Sequence, residues 1–81
     1  MHGRTRREQI ERSAREARHE ALFVSALQPS DTPAADVIAG AITSAMHRFG
    51  QRGCAARMAQ EFGDHPEAAA ARMRWVRQLA A

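Results

Sequence analysis

The chain has 81 residues, 44% of them hydrophobic and 26% charged. That length supports one modest core and is too short for a deep substrate cleft with the shells that catalysis needs, so the sequence argues against an enzyme. The formal net charge of +3 makes it mildly attractive to polyanions. All 12 cationic residues are arginine, which together with abundant alanine reflects a GC-rich codon habit and is not itself a binding signal.

The N-terminal run is charged, without the apolar segment of a leader, and no apolar stretch approaches membrane-spanning length. A reducing cytoplasm is therefore the expected setting. Cys54 stands alone, so no internal disulfide can form.

Residues 4 to about 27 are predicted to form the first helix. Arg4, Glu8, Arg12 and Glu16 alternate in sign at steps of four, as do Arg7, Glu11 and Arg15, and such pairs support a solvated helix by roughly 0.2–0.5 kcal/mol each. Its apolar seam, Ile10, Ala14, Ala17, Ala21 and Val24, steps by four and three like a coiled-coil stripe but is dominated by alanine. Residues 1–18 are read as a charged helical extension and 19–81 as a single helical domain, with Leu22 to Leu27 entering the core. Pro29 ends the helix, Ser30 and Asp31 form a turn, and Thr32 is placed to cap a helix beginning at Pro33.

The second helix is expected to run to Phe49, because Val37, Ile38, Ala41, Ile42, Ala45, Met46 and Phe49 form a broad stripe at helical period. Gly50 stops it, and Gly50 and Gly53 bracket a turn. Gly40 with Ser44 marks either a close helix approach or an exposed face. The third helix, Cys54 to Phe62, places Cys54, Met58 and Phe62 on one side. Cys54 reads as a small core residue, the alternative being a thiolate activated at a helix start. Gly63 is predicted to close that helix in the left-handed conformation, with Asp64 and Glu67 as a capping box and Pro66 near the start of a fourth helix. No segment alternates like a strand, so the fold is predicted to be all-α. Four helices are expected: a long N-terminal helix packed on a trihelical core of the helix-turn-helix kind.

The run Ala59-Gln60-Glu61-Phe62-Gly63, followed by Glu67-Ala68-Ala69-Ala70-Ala71-Arg72-Met73-Arg74, resembles the helix-turn-helix of sigma-factor region 4 and related bacterial regulators. The small residue Ala59, the helix-ending pair Phe62-Gly63 and the late pair Arg72-Met73 carry the resemblance, over about a quarter of the chain. It implies a DNA-associating regulator. The chain as a whole also resembles uncharacterised small helical proteins of GC-rich bacteria, from which no activity carries over.

On a helical wheel, Ala68, Ala69, Met73, Trp75, Val76 and Leu79 of the last helix face inward, while Glu67, Ala70, Arg74, Arg77 and Ala81 face outward. Recognition helices read bases with arginine or polar residues in their first half. His65, Glu67, Ala70 and Ala71 make a poor reading head, so modest sequence specificity is expected. Arg74 and Arg77 suit phosphate contacts, with Arg52 and Arg57 touching flanking phosphates. Arg72 lies within the apolar face and needs a partner there; the readings are a carboxylate, from Glu61, Asp31 or Asp36, or a phosphate clamp.

Trp75 reads as a residue closing the core or as an anchor for a protein partner. The competing function is a helical protein-interaction module or homodimeric adaptor, built on Ile10, Ala14, Ala17, Ala21, Val24 and Trp75. The four histidines are scattered, no metal-ligand spacing occurs, and no motif calls for a cofactor.

Overall fold

The structure, a computed structural model, describes residues 5–80. Among them the only regular elements are helical: α1 (Arg6–Val24), a 3-10 turn (Pro29–Asp31), α2 (Ala35–Asp64) and α3 (Pro66–Leu79). The all-α expectation therefore holds, but the count is three long helices and not four.

Helix α1 begins with a reciprocal cap. The Thr5 hydroxyl accepts from the Glu8 backbone N–H at 3.2 Å, and the Glu8 carboxylate accepts from the Thr5 backbone N–H at 2.8 Å. The Thr5 backbone N–H first, and then the Thr5 hydroxyl, which donates to the same carboxylate at 2.9 Å, lower the Glu8 pKa from its ordinary value. Of the charge ladder, only Arg7 and Glu11 meet among the described residues, at 3.8 Å and both exposed; Arg4 lies outside them. An isolated exposed pair contributes little, because solvent screens it and ordering two long side chains opposes it.

The link to α2 departs from its sequence signals at both ends: α1 stops at Val24, with Ser25 as its C-cap, and not near residue 27 before a block at Pro29. Pro29 opens the 3-10 turn, and the Asp31 carboxylate accepts from the Gln28 backbone N–H at 2.7 Å. Thr32 is left-handed (φ 40°), so it cannot cap a helix at Pro33; α2 starts later, behind Ala34.

Helix α2 spans both helices expected on either side of residue 50. Gly50 alone leaves helical geometry, at φ 71° and ψ 169°, and residues 51–53 are helical again. A single glycine reverses the local backbone and the chain re-enters the helix at once, giving two limbs where a turn bracketed by Gly50 and Gly53 was expected. Gly63 and Asp64 are likewise helical, and the α2–α3 joint is His65 (φ −139°, ψ 66°) followed by Pro66. No side chain caps α3. The left-handed Gly63 and the Asp64–Glu67 capping box are thus not formed: Pro66 supplies the break, since proline at the first helical position costs no hydrogen bond.

Leu22 and Phe23 pack with Ala69, Met73 and Val76, and Ile38, Ile42, Met58 and Phe62 close round them. The Phe23 and Phe62 rings stack at 5.7 Å between centroids. A second patch joins Ala21, Ala45 and Cys54, sharing Val24 and Ile42 with the first. The last turn of α1 therefore enters the core, as expected for the segment that begins at Leu22. The small residues Ala21 and Ala45 are buried together where α1 meets α2, and Leu22 beside them is fully buried in the first cluster. Cys54 is fully buried, and its thiol lies 3.7 Å from the Ala45 carbonyl oxygen. Burial pushes its pKa up, the Glu20 charge adds to that, and Arg57 partly opposes it. The activated-thiolate alternative is contradicted; Cys54 packs as a small apolar residue.

Candidate nucleic-acid interface

A helix ends with carbonyls that lack intrahelical partners, and these form the negative end of its dipole. At the end of α1, Ser25 satisfies one of them, donating from its hydroxyl to the Leu22 carbonyl at 2.7 Å. Arg72, reaching from α3, serves one carbonyl of the last turn, that of the cap residue and one in the segment that follows. Its Nε donates to the Phe23 carbonyl at 2.6 Å, and its Nη2 donates to those of Ser25 at 3.0 Å and Leu27 at 2.9 Å. The guanidinium also lies 5.1 Å from the Trp75 ring centroid and 5.8 Å from that of Phe23. Burial lowers its pKa, but an arginine remains charged.

This arrangement corrects the carboxylate pairing expected for Arg72. The partner is a helix end and not Glu61, Asp31 or Asp36, because three fixed carbonyls match the planar donor fork without burying a second charge. Trp75 belongs to the same clamp; it is half-buried, and with Pro29, Thr32, Pro33 and Leu79 it borders a shallow pocket of about 330 Å³.

The other four candidate arginines, Arg52, Arg57, Arg74 and Arg77, are exposed. The Arg57 guanidinium stacks 4.1 Å from the Phe49 ring centroid, with Arg48 at 5.1 Å from the same ring. Arg57 also borders an open cleft of about 500 Å³ with Ser25, Gln60, Glu61 and Arg72. Arg52 lies at the Gly50 bend, lining a pocket with Glu20, whose carboxyl is pushed up by burial and then by Glu16. Arg77 occupies the last turn of α3; burial first and then the Arg77 charge lower the pKa of His19 on α1. Arg57 and Arg72 thus share a cleft, whereas Arg52 and Arg77 border different parts of α1.

No protein-family model, curated protein or solved structure matches the chain.

The outward surface of α3 differs slightly from the wheel. Glu67, Ala71, Arg74 and Arg77 are exposed as expected, but Ala68 is exposed and Ala70 half-buried. Ala81 lies outside the described residues. The first half of α3 therefore still offers methyl groups and one acid to any groove it met. No described set of three His, Cys, Asp or Glu side chains could hold a metal ion.

The seam of α1 divides in two. Ile10 is 61% exposed and Ala14 is exposed, Ala17 and Val24 are half-buried, and Ala21 is buried against Ala45 and Cys54. Only its first half is available to a partner. The arginines of that half were not among the residues singled out for binding, because their place relative to α3 depends on how the two helices align.

Proposed function

We propose that this domain is a small non-enzymatic regulator that associates with DNA through backbone phosphates, with modest sequence specificity. The observation that carries this reading is how its arginines are deployed. Among the described residues, Arg7 alone meets a carboxylate and Arg72 alone makes side-chain hydrogen bonds; every other arginine is exposed. Guanidiniums left without carboxylates are the groups that displace counterions from a polyanion. The loose resemblance to sigma-factor region 4 favours the helix-turn-helix form of this reading. The single-residue joint is tighter than the usual turn of that motif. A cytoplasmic setting accords with it, and no described helix is long and apolar enough to cross a membrane.

In this reading Arg74 and Arg77 contact phosphates, Arg52 and Arg57 flank them, and Arg72 holds α3 to α1. Fluorescence anisotropy with a labelled mixed-sequence duplex is expected to show binding that weakens steeply with salt. The Arg74→Ala/Arg77→Ala variant should flatten the log-log slope by about 0.9 for each phosphate it no longer neutralises. An unchanged slope would remove these residues from the interface, and no binding at low salt would remove the reading.

A second reading, a helical interaction module that pairs through α1, is favoured by the exposure of Ile10 at 61% on a half-helix that nothing covers among the described residues. It expects a concentration-dependent dimer in sedimentation equilibrium, converted to monomer by Ile10→Glu. A monomer at every concentration would set it aside.

A further inference from the structure

Arg57, Gln60 and Glu61 stand at i, i+3 and i+4 on the second limb of α2, which places them on one side of that limb. With Arg72 of α3 they line a single open cleft of about 500 Å³, whose apolar wall includes Phe23 and Val24. Pockets that take small organic molecules run from roughly 300 to 1,000 Å³, so the cleft is of that size.

Both arginines of the cleft are held in place and keep donors to spare. Arg72 engages the carbonyls of Phe23, Ser25 and Leu27 through Nε and Nη2, which leaves the two N–H groups of Nη1 without a partner among the described residues. No buried side-chain nitrogen or oxygen lacks a partner among those residues, so Nη1 is open to water. The guanidinium carbon of Arg57 lies 4.1 Å from the Phe49 ring centroid; stacking occupies the face of the group and leaves its N–H edge free. Glu61 lines the same cleft, yet neither arginine comes within 4.0 Å of its carboxylate, the Arg7–Glu11 contact being the only ion pair among the described residues.

We infer that this cleft is a binding site for a free amino acid. Arg57 and Nη1 of Arg72 take the carboxylate of the ligand, Glu61 takes its ammonium group, and Phe23 and Val24 meet its carbon skeleton. A simple anion would match the arginines and be repelled by Glu61, whereas a zwitterion matches all three charges. Charge-assisted hydrogen bonds from two fixed guanidiniums orient the carboxylate, and the acid sets the other end. The site goes beyond DNA association and does not depend on it.

The test is an NMR titration of the whole, nitrogen-15-labelled chain with the common L-amino acids one at a time, and with propionate, ethylammonium and inorganic phosphate as partial ligands. At least one amino acid is expected to shift the backbone amides of Ser25, Gln28, Gln60 and Ala68, which border the cleft, and to raise the melting temperature, because a ligand of the native state stabilises it. Arg57→Ala should weaken that binding about tenfold, in line with the loss of a hydrogen bond to a charged group. Glu61→Gln should weaken the amino acid several-fold and leave propionate no weaker. Both substitutions fall at exposed positions, as does the control Arg12→Ala, which removes a charge from α1 and should leave binding unchanged. No shift of the cleft amides with any amino acid would overturn the site, and so would equal weakening by Arg12→Ala and Arg57→Ala. Propionate or phosphate binding as tightly as the amino acids, or no effect of Glu61→Gln, would overturn the assignment of an amino acid to it.

Discussion

Replacing Arg72 with methionine is expected to destabilise the fold by about 2–3 kcal/mol, because hydrogen bonds to a charged group contribute about 1.5–3 kcal/mol and an acceptor left unsatisfied away from water costs about 1–3. Methionine keeps an apolar side chain of similar reach but removes both the donor fork and the guanidinium that lies by the Phe23 and Trp75 rings, so the change reports on the clamp as a whole. The figure sits below the sum of three hydrogen bonds because the neighbouring cleft of about 500 Å³ is open and water can reach the released carbonyls. For a domain this small, each kcal/mol corresponds to about 4–8 °C in melting temperature, so a fall of about 10–20 °C is expected. Arg72→Lys should fall between the two, since a point charge cannot serve three carbonyls in a planar array. An unchanged melting temperature for Arg72→Met would show that the clamp contributes nothing to stability.

The second large effect is expected at Gly50. Its φ of 71° with ψ of 169° lies in the region that is essentially closed to L-residues, and holding one there costs about 1–3 kcal/mol. A Cβ at that position would meet nothing within 4 Å, so the penalty is torsional and not a clash. Gly50→Ala should therefore lower the urea midpoint with little change in the slope of the transition. A D-alanine introduced at 50 by chemical synthesis should be tolerated, because the mirror image of this conformation is ordinary extended backbone. It should even add about 0.4–1 kcal/mol by restricting the unfolded chain. If both alanines were equally harmful, side-chain crowding would be the cause and the torsional account would be wrong.

These two residues also show what the sequence disclosed. The stripe from Val37 to Phe49 was legible because it depends on local period, whereas α1 ends at Val24, before Pro29 could block it. Gly50 was recognisable as a break, but glycine only permits a reversal. Whether the next residues resume a helix is decided by packing of the second limb, where Cys54, Met58 and Phe62 join the core. At Gly63 the same permissiveness misleads, since His65 and Pro66 make the joint and glycine stays helical. Arg72 stood out as a cation within an apolar face that required a partner. Carboxylates were the visible candidates, whereas backbone carbonyls carry no side-chain identity and become acceptors only where a helix happens to end.

The central place of the last turn of α1 bears on the order of events during folding. Leu22 and Phe23 are made early but have no stable cover until Met73 and Val76 exist, about fifty residues later. Local helices can form and dissolve in microseconds, but the step that commits the chain must close that long loop first. Mutations where α1 packs on α3 should consequently slow refolding more than those along the first limb of α2. A nascent chain lacking residues beyond 65 would carry two large apolar side chains facing water, a surface that invites chaperones and aggregation until the last helix arrives.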